Sequence, residues 1–229
     1  MGTKIYSRRG LPPCPDPDMY IVVKTKEGYF WRKKRGTVKK AVLNKTFARN
    51  AATAKITGPA TSRLLNVLEP YTKGIKTGKL SLQIAGMLMK TYHEKGVLDF
   101  SRLEKMELNV EYPLDKMLHT PYTIRLDKKR ISLQFKSGPV QPQNTLVTDY
   151  YFDVVLLYGD AAEEGGLQVA MISSSLYSFE EEKIYAVKLV LPLPVTEVPW
   201  MLLLKINCLE GKEVASHTKH YRMRVVKTG

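Results

Sequence analysis

The spacing of apolar residues changes once along this chain. Between about residues 45 and 106 they recur every three to four positions; beyond about residue 107 they alternate. Phe47, Ala51 and Ala54 stand at helical spacing and predict a helix over 45–54. Gly58-Pro59 predicts a kink or break, because proline lacks an amide donor and clashes with the preceding turn. A fresh helical start would turn Leu64, Leu65 and Leu68 inward before Pro70 ends the element. Ile84, Met87, Leu88 and Thr91/Tyr92 predict a second helix over 81–94, with Gly96 as its C-cap. Asp99 is expected to cap a short helix running through Met106.

Past residue 107 the period is two. Ile131, Leu133 and Phe135 alternate with Ser132, Gln134 and Lys136, the pattern of a strand wet on one face. Residues 150–158 are apolar on both faces, as in a central strand. Further strands are expected over 167–172, 184–191, 200–209 and 214–226, separated by Ser137-Gly138-Pro139, Gly159-Asp160, Gly165-Gly166, the prolines between 192 and 199, and Glu210-Gly211. Before the helices, Pro12, Pro13, Pro15 and Pro17 predict an extended arm. Residues 19–26 and 29–32, joined by Glu27-Gly28, predict a β-hairpin.

These elements define an α+β class. A basic N-terminal arm and hairpin with short helices precede an all-β, Ig-like sandwich of about seven antiparallel strands. The expected divisions are an arm over 1–18, a basic hairpin and helical region over 19–106, and a β-sandwich domain over 107–229.

Charge changes the picture more than composition does. All of the net +14 sits in residues 1–100, and residues 101–229 balance to zero. Residues 24–49 are densest, with ten cations against Glu27 alone. Self-repulsion at that density calls for an extended solvated surface or an anionic partner. The two cysteines, Cys14 and Cys208, form no CxxC pair, so a reducing, cytoplasmic setting is expected. The N-terminus lacks the apolar run of a secretory signal, and Gly2 with Ser7 misses the myristoylation spacing. The densest apolar stretch, 200–204, is strand-length, so no membrane span is expected.

Candidate chemistry is sparse. His217 and His220, three apart on an expected strand, would face opposite ways and could not share a metal ion. His93 and His119 have no carboxylate or thiol at ligand spacing. Glu180-Glu181-Glu182 and Glu163-Glu164 read as solvated turns. Ser173-Ser174-Ser175 lacks a nucleophile elbow and an evident His or Asp partner. Cys208 alternates onto a core face, and the lysines of 72–79 miss the phosphate-loop spacing. No catalytic group, metal site or cofactor is therefore expected.

The strongest constellation is aromatic and basic: Tyr29 and Trp31 beside Arg32, Lys33, Lys34 and Arg35, with Lys39, Lys40, Lys45 and Arg49 following. Rings can stack bases while cations neutralise phosphates. The bland alternative packs Tyr29 and Trp31 on one hairpin face and leaves the basic run solvated.

The order of elements, with Arg49-Asn50-Ala51 opening the helical region, resembles a group of uncharacterised bacterial proteins with a basic N-terminal segment and a C-terminal β-sandwich. The resemblance implies the fold and no activity. The expected function is a non-enzymatic structural or assembly protein that docks a protein partner or a second copy. The alternative is sequence-nonspecific binding of nucleic acid or another polyanion. A lesser alternative is sugar binding by Tyr150, Tyr151, Tyr158, Tyr177 and Tyr185.

Overall fold

The computed structural model describes residues 6–7, 10–34, 44–73, 75, 79–136, 146–180, 184–194, 197–215 and 217–229. The chain divides into two compact units, Met1–Asn50 and Ala51–Gly229. Their boundary lies inside the first helix, and residues 106 and 107 both belong to the second unit.

In the first unit, β1 (Tyr20–Lys24) and β2 (Tyr29–Lys33) form the expected antiparallel hairpin. Gly28, at φ 147°, supplies a backbone angle that side chains resist, and its carbonyl accepts from Thr25 N–H at 2.7 Å. The proline-rich stretch is not a free arm. Tyr6 and Tyr29 exchange two backbone hydrogen bonds of 2.8 Å, and Pro12 and Pro17 offer carbonyls to hairpin side chains. Prolines keep their carbonyls as acceptors, which is how a segment poor in donors still attaches.

The helix expected to break at Pro59 does not. A single helix, α1, runs Lys45–Thr72 with Pro59 and Pro70 inside it. Pro59 leaves the carbonyl of Lys55 without its partner, but both residues are exposed, so water can satisfy that group. The buried stripe is Thr53, Thr57, Ala60, Thr61, Leu64, Leu68 and Thr72. Half-polar as it is, this stripe is consistent with burial. The hydroxyls of Thr57, Thr61 and Thr72 donate to carbonyls four residues back at 3.2, 2.7 and 3.1 Å. Phe47, Ala51 and Ala54, the residues at helical spacing, are exposed, Phe47 at 62%. A second helix, α2 (Leu80–Lys95), buries Leu80, Ile84, Leu88 and Thr91 and ends as expected on Gly96 at φ 73°. The short helix after Asp99 is only the 3-10 turn Ser101–Leu103. Just ahead of it, the Asp99 carboxylate accepts from Ser101 N–H at 2.8 Å.

Among the described residues nine further strands follow. β3 (Tyr122–Asp127), β4 (Arg130–Lys136) and β8 (Ala186–Pro192) make a three-stranded antiparallel sheet in the order β3-β4-β8. The other sheet has six strands: β5 (Asp149–Gly159), β6 (Leu167–Ser173), β7 (Tyr177–Ser178), β9 (Trp200–Glu210), β10 (Glu213–Val214) and β11 (Tyr221–Thr228). β9 pairs β5 on one side and β10 and β11 on the other; β5 in turn carries β6 and β7. The single strand expected over 214–226 is thus split by the 3-10 turn Thr218–His220.

Two cores explain this layering. One lies between the sheets and contains Ile131, Leu133, Phe135, Val187, Leu189, Phe152, Leu156, Leu202, Leu204 and Ile206. The other lies on the opposite face of the six-stranded sheet. There Val155, Leu157, Met201, Leu203, Met223 and Val225 pack with Ala60, Leu64 and Leu68 of α1 and Leu80, Ile84 and Leu88 of α2. β5 and β9 are apolar on both faces, so a second layer must cover each side. The fold is α+β as expected, with antiparallel sheets and two helices packed on one face of the six-stranded sheet. At the end of β5 the chain folds tightly: a Cβ on Gly159 (φ 117°) would sit 2.0 Å from the carbonyl oxygen of Gly166.

Candidate functional site

The hairpin sorts the aromatic and basic residues by alternation. Register pairs Tyr20 with Lys33, Val22 with Trp31, and Lys24 with Tyr29 on one face; Ile21 with Arg32 and Val23 with Phe30 occupy the other. One face therefore carries Tyr20, Tyr29 and Trp31 beside Lys24 and Lys33. The Lys33 ammonium lies 5.9 Å from the Tyr20 ring centre, within cation–π range. Trp31 is half-buried and its indole N–H donates to the Pro12 carbonyl at 2.8 Å, which fixes the ring edge. Tyr29 is also half-buried, pinned by its backbone exchange with Tyr6.

Among the described residues the basic run is divided between the two hairpin faces. Arg32 is exposed on the opposite face from Lys33, and Lys34 donates to the Pro17 carbonyl at 2.9 Å. Lys45 and Arg49 occur one helical turn apart at the exposed start of α1. Asn44 caps that end, its side-chain oxygen accepting from Phe47 N–H at 2.8 Å, and no acidic residue occupies the first turn. Cations at the positive end of a helix dipole cost stability, typically ~0.3–1 kcal/mol each. Arg35, Lys39 and Lys40 lie outside the described residues.

The whole first unit is cationic, with thirteen Lys/Arg against three Asp/Glu, a net +10 of the chain's +14. None of its described residues is buried. A surface of this charge attracts anions and loses that attraction with added salt.

In the second unit the histidines are placed otherwise than a strand would place them. The rings of His217 and His220 lie 6.0 Å apart at the 3-10 turn, edge to face. His217 Nδ1 accepts from Lys219 N–H at 3.1 Å, and His220 Nε2 is 3.6 Å from Glu210. His220 is buried, and burial, with Lys219 adding to it, holds its imidazole below the ordinary range. Among the described residues no group of three His, Cys, Asp or Glu side chains is arranged to hold a metal. Cys208 lies on the core face where alternation put it, and burial pushes its thiol up to about 12, which keeps it protonated.

One serine was misread. Ser173 has an acidic partner twenty residues away: its hydroxyl donates to Asp153 at 2.6 Å across the β5–β6 pairing. Only strand register brings these residues together, so their spacing in the chain carried no signal. Of the tyrosines offered for sugar binding, Tyr150, Tyr177 and Tyr185 pack on aromatic neighbours. Tyr150 is buried, with its ring centre 5.5 Å from that of Tyr177 and 4.6 Å from that of Phe179, and Tyr177 lies 4.8 Å from Tyr185. No helix among the described residues is long and apolar enough to cross a membrane. No family model matches the chain, and no curated protein sequence matches it.

Proposed function

We propose that this is a non-enzymatic nucleic-acid-binding protein whose first unit grips the phosphate backbone and stacks bases without reading sequence. One observation carries the reading: a fifty-residue unit of net +10 presents Tyr20, Tyr29 and Trp31 beside Lys24 and Lys33 on a single hairpin face. Two cations at the positive end of α1 add to it, since a polyanion would offset the cost of placing them there. The Ala51–Gly229 unit then serves as a folded scaffold. A cytoplasmic setting belongs to the same proposal, with Cys14 and Cys208 as free thiols.

Fluorescence anisotropy with a labelled single-stranded oligonucleotide tests this. Affinity should fall steeply between 50 and 200 mM salt and vary little with sequence. Replacing Lys24 and Lys33 by Ser should weaken binding to all sequences alike and lower the salt slope on a single strand by about 1.4. No binding at low salt would remove the proposal.

A second reading, assembly with copies of itself or a protein partner, is favoured by β3. Among the described residues this strand pairs only with β4, and its Leu126 is 52% exposed. An unpaired edge can accept another strand. Light scattering after size exclusion separates the readings: a strict monomer at high concentration speaks against assembly and leaves phosphate binding intact.

A further inference from the structure

The helix-facing side of the six-stranded sheet is apolar where α1 and α2 cover it and polar beyond. Alternation along β5, β9 and β11 puts Tyr151, Asp153, Lys205, Asn207 and Tyr221 on that face, in line with the apolar Val155, Leu203 and Met223. Register sets Tyr151, Asn207 and Tyr221 in one row, with Asp153 and Lys205 adjacent in the next. Asp153 is 7% exposed, Lys205 8%, Asn207 1% and Tyr221 8%.

Hydrogen bonding in this group is lopsided. Asp153 is satisfied: one oxygen accepts from the Ser173 hydroxyl and the other from the Asn207 amide, each at 2.6 Å. Lys205 is not. Among the described residues its ammonium makes no hydrogen bond and no ion pair, and its nearest aromatic contact is the Tyr221 ring at 5.3 Å. The hydroxyls of Tyr151 and Tyr221 likewise find no protein partner among the described residues. Burial disfavours the charged ammonium of Lys205, while Asp153 favours it; burial and Asp153 together keep Tyr151 protonated. Lys205 is 8% exposed, and among the described residues no protein acceptor takes up the donors of its ammonium, which leaves them open to an anionic ligand.

We infer that this patch is a binding site for a small oxyanion, a carboxylate or phosphate group, held by Lys205 with Tyr151 and Tyr221. The chemistry follows from what is left over: an ammonium and two phenols are donors, and the local acceptor is already engaged. Asp153 and Asn207 act as positioning residues. Asp153 supplies the counter-charge that keeps Lys205 ionised before the ligand arrives, and Asn207 turns the carboxylate aside. This site is separate from the hairpin, so it stands or falls independently of nucleic-acid binding.

Thermal-shift titration of the full chain with inorganic phosphate and with acetate, at constant ionic strength, tests it. The parent protein should show a saturable rise in midpoint with at least one probe, and so should the variant carrying Arg32→Ser and Lys33→Ser, which separates this site from the basic unit. Lys205→Met should weaken the effect roughly tenfold or more, the loss expected for a charge-assisted hydrogen bond. Tyr151→Phe, half-buried and gentler on folding, should weaken it by a few-fold and decides the matter if Lys205→Met does not fold. No saturable shift in the parent with either probe, or an unchanged titration in both variants, overturns the inference.

Discussion

The first fifty residues hold thirteen of the chain's 36 basic residues and, among those described, no buried side chain, whereas residues 51–229 build two apolar cores around one sheet. The two units show different ways of being ordered. In the second, burial of Leu, Val, Ile and Phe contributes on the order of 1.5–3 kcal/mol per fully buried side chain, and topology follows from the need to cover both faces of β5 and β9. In the first, a two-stranded hairpin is marginal alone, and the cross-strand Lys33–Tyr20 cation–π contact and carbonyls of the proline-rich stretch support it. Apolar burial accounts for the one, and local hydrogen bonds with an uncompensated charge define the other.

The largest effect should come from the sheet-to-sheet core. Phe152→Ala, at 0% exposure and edge to face with Phe135 at 4.7 Å, should cost about 3–5 kcal/mol in urea unfolding. A loss below about 1 kcal/mol would mean that this core does not hold the second unit together. Gly159→Ala should cost about 2–3 kcal/mol by the same measurement, because a Cβ there meets the Gly166 carbonyl oxygen and φ is 117°.

His220 adds a pH dependence to the second unit. Its imidazole is held below the ordinary 6.5 by burial first and by Lys219, with Glu210 opposing. The unfolded chain takes up the proton near pH 6.5 while the folded chain resists it. Stability is therefore complete above that value and declines as pH falls through it, by at most about 1.4 kcal/mol per pH unit. Comparing unfolding at pH 7.5 and 5.5 in the parent and in His220→Leu should show the smaller decline in the variant. Equal declines would assign the acid sensitivity elsewhere.

The smallest effect on stability should come from the hairpin. Trp31→Ala should move global unfolding by less than about 0.5 kcal/mol, yet weaken oligonucleotide binding by about 1–3 kcal/mol, the worth of one stacked base. A large loss of stability from that substitution would erase the contrast between the units.

Much of the second unit was legible because its signals are local. Alternation over 131–135, the two-sided apolar run at 150–158 and Gly96 as a cap each report a preference of the nearby backbone. In α1 the inward turn of Leu64 and Leu68 is legible, but the buried threonines are not. A threonine hydroxyl that bonds to its own helix hides its polarity, and a composition-based reading does not register that. Pro59 misled for a related reason, since the cost of a missing donor depends on whether water reaches the freed carbonyl. At the hairpin, the aromatic and basic cluster was visible, but not its division by strand alternation between two faces.

By itself the sequence determined the segregation of charge, the hairpin and the strand faces, because each depends on residues within a few positions of one another. Only the tertiary structure decided which layer covers which side of the central sheet and which buried polar groups meet. Ser173 reaches Asp153, and Lys205 comes to lie beside the Tyr221 ring, only because strands distant in the chain lie in register. Such pairings depend on burial shared among several strands, and no local preference encodes them.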